Sequence, residues 1–128
     1  MKIKLLIFLL IICSKTAICQ SGTFLERAKL GLKSGNTQKL IQLIGEKVQF
    51  GMEGEGSMVS RKVAETKLNN FFQTSAPQEI AQLFQGQSKD GKQYFIGRLT
   101  TKKGDFRVSI YWTESPVNQM ISIDISKE

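Results

Sequence analysis

The chain has 128 residues, a formal charge of +7, two cysteines, one tryptophan and no histidine. The missing histidine excludes imidazole metal sites, Cys/His nucleophilic pairs and Ser-His-Asp triads. The basic residues are dispersed, with Arg61-Lys62 and Lys102-Lys103 the only adjacent pairs, so they read as a solvated surface and no nucleic-acid partner is expected.

At the N-terminus, Lys2 and Lys4 precede the apolar run Leu5-Leu6-Ile7-Phe8-Leu9-Leu10-Ile11-Ile12, which is too short for a stable membrane span. Ser14 and Lys15 close the run, and Ala17-Ile18-Cys19 places small residues at the two positions that a signal peptidase reads. Residues 1 to 19 are therefore expected to be a cleavable export signal, with cleavage after Ala17 as the alternative. The expected location is periplasmic or extracellular. A lipid anchor needs a small residue before the modified cysteine, whereas Cys13 follows Ile12 and Cys19 follows Ile18; no stable membrane anchor is expected after cleavage. Removing 19 of 128 residues leaves 109, all in one expected domain over residues 20 to 128 that is large enough to fold without a disulfide. Both cysteines leave with the signal, and with them thiolate metal and iron–sulfur ligation. Loss of Lys2, Lys4 and Lys15 leaves 15 basic against 11 acidic residues, a formal charge of +4.

Along the remaining chain the apolar period changes once, from helical spacing to alternation, which predicts an α+β domain with its helices first. Ser21 or Thr23 can cap a first helix with Phe24, Leu25, Ala28, Leu30 and Leu32 as its stripe, ending near Gly35-Asn36. A short second helix follows, capped by Thr37, buried through Leu40, Ile41 and Ile44, and stopped by Gly45. Val48, Phe50 and Met52 alternate as a half-covered strand, and Glu53-Gly54-Glu55-Gly56 reads as a flexible loop. Ser60 opens a third helix with Val63, Ala64, Lys67, Leu68, Phe71 and Phe72 on one broad face, Lys67 through its aliphatic stem. The two phenylalanines are about 100° apart on the helix, so one of them is expected to reach the rim, and Phe71 is the less secure core member.

A turn over residues 77 to 81 leads to Leu83-Phe84-Gln85, and Asp90-Gly91 suits a tight primed hairpin turn. Three hairpin-connected strands end the chain: Tyr94 to Thr101, Phe106 to Thr113, and a last one carrying Ile121, Ile123 and Ile125. Alternation predicts one core from Val48, Phe50, Phe71, Phe72, Phe106, Val108, Ile110, Trp112, Ile121 and Ile123.

The helix Ser60-x-x-x-Ala64-x-x-x-Leu68-x-x-Phe71-Phe72, the turn Gly86-x-Ser88-x-Asp90-Gly91, the strand Tyr94-x-Ile96-Gly97 and the final meander resemble domain of unknown function family 4783, a family of small exported bacterial proteins. The resemblance spans nearly the whole mature chain. It implies a cone similar to nuclear transport factor 2, with N-terminal helices packed in a curved antiparallel sheet. It implies no activity, because such cones host enzymes, binders and scaffolds alike.

The residues narrow the chemistry further. Gly54-Glu55-Gly56 is a two-glycine fragment flanked by acids that repel phosphate, so it reads as a loop. Asp90 lies between Lys89 and Lys92, and Glu53 and Glu55 are too few for an oxygen cage, so neither calcium nor any other cofactor is expected. One acid/base route remains, a carboxylate and a tyrosine meeting in an apolar cavity, with Tyr94 the candidate tyrosine. Tyr111 shares its parity with Asp105, Arg107 and Ser109 and is expected to point away from the core. Asp124 is likewise opposite Ile123 and Ile125, in position to pair with Arg98 or Arg107 across strands.

The expected function is accordingly an exported, non-enzymatic binding module, monomeric or homodimeric, for a small apolar ligand or a protein partner. The cavity isomerase or hydrolase-like enzyme using Tyr94 is the alternative. The expected partner face is the outer side of the meander, where Arg98, Arg107, Tyr111 and Asp124 join Ser109 and Ser122.

Overall fold

The computed structural model describes residues 23–128; the expected signal over residues 1 to 19 lies outside the described residues. Helix α1, Phe24–Ser34, begins where the Thr23 hydroxyl accepts a hydrogen bond from the Glu26 amide at 3.1 Å. It ends at Gly35, whose φ of 65° suits a residue without a Cβ. Phe24, Leu25, Ala28, Gly31 and Leu32 are buried, but Leu30, expected in the stripe, is 50% exposed. Two residues turn a helix about 200°, so Leu30 lies opposite both Ala28 and Leu32.

Helix α2, Thr37–Ile41, is capped by Asn36 rather than Thr37: the Asn36 Oδ1 accepts from the Lys39 amide at 3.2 Å, and Thr37 is buried. Strand β1, Ile44–Met52, starts earlier than expected and takes in Ile44 and Gly45. Glu53 and Gly54, with φ of 53° and 84°, turn the chain into strand β2, Glu55–Ser60. The predicted flexible loop is thus a hairpin tip, and β2, nearly all exposed, carries no apolar alternation to mark it in the sequence.

Helix α3, Arg61–Ser75, is capped by the Ser60 hydroxyl, which accepts from the Val63 amide at 3.2 Å. Ala64, Leu68, Phe71, Phe72 and Ser75 form its buried stripe; Val63 is 42% exposed, outside the face assigned to it. Strand β3, Pro77–Gln87, replaces the predicted turn and short strand. Two register shifts, at Pro77/Glu79 and Gln82/Phe84, break its alternation, which is why its period could not be read.

Strands β4, Gln93–Thr101, β5, Gly104–Thr113, and β6, Gln119–Lys127, pair antiparallel in sequence, as the meander predicts. The turn between β3 and β4 is longer than the primed two-residue form. The Gly91 amide donates to the Ser88 carbonyl at 3.0 Å and the Ser88 amide to the Lys92 carbonyl at 2.7 Å, and Gly91 alone has a positive φ there, 85°. At its tip the Ser88 hydroxyl and Lys92 bond the Asp90 carboxylate and lower its pKa to about 2.

The six strands form one curved sheet in the order β2-β1-β6-β5-β4-β3. All neighbours are antiparallel except β1 and β6, which run parallel. Helix α1 packs over β3 and β4, and α3 over β1 and β2. Phe24 stacks on Trp112 with ring centroids 5.1 Å apart, and Phe71 meets Phe106 edge-on at 5.0 Å. Between helices and sheet, Val48, Phe50, Phe95, Leu99, Phe106, Val108, Ile110, Trp112, Ile123 and Ile125 join Phe71 and Phe72 in one core.

Ile121 departs from the expected core. Tyr111 pairs with Ser122 but Trp112 pairs with Met120, so Ile121 is the extra residue of a bulge and Met120 takes the fully buried position. Among the described residues no helix is long and apolar enough to cross a membrane.

Candidate ligand groove and outer sheet face

The sheet registers place Arg98, Arg107, Tyr111 and Asp124 on the outer face, away from the helices. Tyr94, Tyr111 and Ser122 form one row across β4, β5 and β6; Ile96, Ser109 and Asp124 form the next, and Arg98, Arg107 and Ser126 a third. The Tyr94 and Tyr111 rings lie 5.7 Å apart at 32°. Arg107 is exposed and Tyr111 half-buried. The ion pairing differs from the expected one. The Arg98 guanidinium grips Glu128, donating from Nε to Oε1 at 3.0 Å and from Nη2 to Oε2 at 3.1 Å. That fork, with its Coulomb attraction, raises the Arg98 pKa and lowers that of Glu128. Asp124 pairs with neither arginine among the described residues; its carboxylate instead occupies the space beside Gly51 of β1, where a side chain would collide with it. One arginine of the face is therefore held internally, and Arg107 and Tyr111 remain available.

This placement separates Tyr94 from any interior carboxylate. Neither tyrosine lines the four clefts found among the described residues around Trp112, Phe71, Lys67 and Gly54, so the tyrosine and acid that the enzymatic alternative requires do not meet in any of these. Among the described residues no three His, Cys, Asp or Glu groups lie close enough to share a metal ion.

At one end of the cone a polar cleft of about 350 Å³ lies between the start of α1 and the sheet, with Glu26, Lys29, Gln85, Gln93 and Glu114 around Trp112. The Trp112 Nε1 is buried without a hydrogen-bond partner among the described residues.

The opposite end opens differently. Between α3 and strands β1 and β5 lies a groove of about 350 Å³ lined by Met52, Lys67, Asn70, Phe71, Thr74, Ser75 and Phe106. Its floor is the edge-to-face pair Phe71 and Phe106; Phe71 and Phe72 are equally buried, and of the two Phe71 lines the groove. Lys67 is the one ionised residue of this lining, and its Nζ stands 5.9 Å from the Phe50 ring centroid. A neighbouring cleft of about 360 Å³ shares Met52 and Lys67 and continues to Glu55, Gly56 and Ser57 of β2. The groove offers an apolar floor, amide and hydroxyl donors from Asn70 and Thr74, and one cation. No sequence pattern announces it, because its residues come from β1, α3 and β5. The one local hint was the asymmetry between Phe71 and Phe72.

The family model described as "Domain of unknown function (DUF4783)" matches residues 25–125. A DUF4783 protein of Bacteroides fragilis YCH46 is similar at 27% identity with a TM-score of 0.73, over 79% of this chain and 95% of that one. A DUF4783 protein of Bacteroides uniformis ATCC 8492 is similar at 25% identity with a TM-score of 0.76, over 83% and 98%. Rd1NTF2_04, at 13% identity and a TM-score of 0.64 over 80% and 95% of the two chains, shares the fold alone. No curated protein matches the chain. With residues 25–125 covered by the family's model and its solved members sharing the cone, the chain belongs to the DUF4783 family.

Proposed function

We propose that the protein is an exported, non-enzymatic binding module that accepts a small apolar ligand in the groove between α3 and strands β1 and β5. The observation that carries this reading is the apolar floor of Met52, Phe71 and Phe106, core residues that line an open groove. Water covers that floor poorly, and an apolar chain lying on it returns that water to bulk. A volume of about 350 Å³ falls at the lower end of small-molecule sites. The lining contains no carboxylate and no tyrosine, so the carboxylate–tyrosine pair of the enzymatic alternative is not assembled in it. Export rests on the charged, apolar and small-residue succession of residues 1 to 19.

The test is titration of the full chain with decanol, followed by NMR of the methionine methyl groups. Saturable shifts should centre on Met52, and Asn70→Trp, which places a ring in the groove from an exposed helical position, should abolish them without lowering the melting temperature. Shifts that survive Asn70→Trp unchanged would place the ligand elsewhere.

A protein partner on the outer sheet face is the second reading. It is favoured by Phe84, 56% exposed on β3 and paired with Ile96 beside the adjacent rings of Tyr94 and Tyr111. Together with Arg107 these residues supply the aromatic and arginine chemistry common at interface centres.

A further inference from the structure

We infer that the ligand of this groove is an amphipathic anion, an acyl chain ending in a carboxylate, with its head at Lys67 and its tail on Phe71 and Phe106. The inference rests on the groove proposed above and adds the class of its ligand. Lys67 is the one ionised side chain in the lining, and among the described residues it takes part in no ion pair. Its ammonium lies toward the Phe50 ring, at the boundary with the adjoining cleft. A second ammonium flanks the floor from β6: the Lys127 Nζ is 6.0 Å from the Phe106 ring centroid and is likewise in no ion pair among the described residues.

No acid lines the groove itself. The Glu53 Oε1 accepts a hydrogen bond from the Lys127 backbone amide at 2.9 Å, and Glu55 lines the adjoining polar cleft, not the groove. Aromatic faces attract ammonium groups but do not neutralise them. Lys67 thus presents an ammonium in no ion pair beside an apolar floor, which complements one negative charge. Asn70 and Thr74, one helical turn apart on α3, add donors that an acceptor-only carboxylate can use. A cationic head would instead meet like charge at Lys67. An alcohol would gain the floor but not the ion pair.

Three probes with one tail separate these cases: decanoate, decanol and decyltrimethylammonium, each titrated into the full chain with the Met52 methyl as reporter. Decanoate is expected to bind up to about fivefold more tightly than decanol, the ratio set by one partly solvated ion pair, and decyltrimethylammonium most weakly. Lys67→Gln, which keeps most of the stem, should bring decanoate down to the affinity of decanol and leave decanol unchanged. Equal affinities for decanoate and decanol, or a preference for decanoate that persists in Lys67→Gln, overturn the assignment of the head group while the groove itself stands. If none of the three probes perturbs Met52, the groove reading fails, and this inference with it.

Discussion

Phe72→Ala should destabilise the protein by about 3 to 5 kcal/mol, as loss of a buried aromatic ring leaves a cavity that a close-packed core only partly closes. Phe72 is 7% exposed and packs edge-on against Phe71, with centroids 5.6 Å apart. The end of α1 passes beside it, since a Cβ at Gly35 would stand 3.6 Å from the Phe72 Cβ. One ring thus ties α3 to α1 and to the aromatic floor of the sheet. Small domains are stable by only about 5 to 15 kcal/mol, so the urea midpoint should fall steeply with little change in slope. Wild-type unfolding behaviour would place Phe72 outside the core.

The second large effect is expected at Gly97, where there is no room for a side chain. A Cβ there would stand 2.6 Å from Phe95 Cζ and 2.9 Å from the Ala81 carbonyl oxygen. Phe95 is fully buried and its ring lies over the glycine two residues on, while the Ala81 oxygen belongs to the backbone of β3. Neither can yield without disturbing the core or the β3–β4 ladder. Gly97→Ala should therefore cost about 1 to 3 kcal/mol by overpacking, and Gly97→Val more. Thermal unfolding of the two variants checks this order, and two variants as stable as wild type would show that β3 moves freely.

Where the apolar pattern is regular, the fold was legible in the sequence. Phe106, Val108, Ile110 and Trp112 alternate without interruption, and all four face the helices. The α3 stripe of Ala64, Leu68, Phe71 and Phe72 was equally plain. What was lost lies at the sheet edges and at the bulges. Strand β2 is exposed along nearly its whole length, and β3 slips register twice, so neither carries a period of two. The bulge that exchanges Met120 for Ile121 follows from pairing with β5, and the parallel contact of β1 with β6 joins residues more than seventy positions apart. No local signal encodes either.

The candidate surfaces divide in the same way. Strand parity was enough to put Arg98, Arg107, Tyr111 and Asp124 on one face, because a side chain's face depends only on its position within the strand. Which partner each takes depends on register and on the reach of the C-terminus, and there Glu128 displaced Asp124 as the partner of Arg98. The groove depends on tertiary packing altogether. Met52, Lys67, Phe71 and Phe106 share a surface only after α3 has docked across the sheet.

Native mass spectrometry of the full chain recovered from the cells that produce it, beside its Asn70→Trp variant, tests the binding reading most directly. The wild-type protein is predicted to carry a small-molecule mass that is released unchanged and is missing from Asn70→Trp. Equal retention of that mass by both proteins, or a second protein chain in its place, would contradict the groove as the binding site.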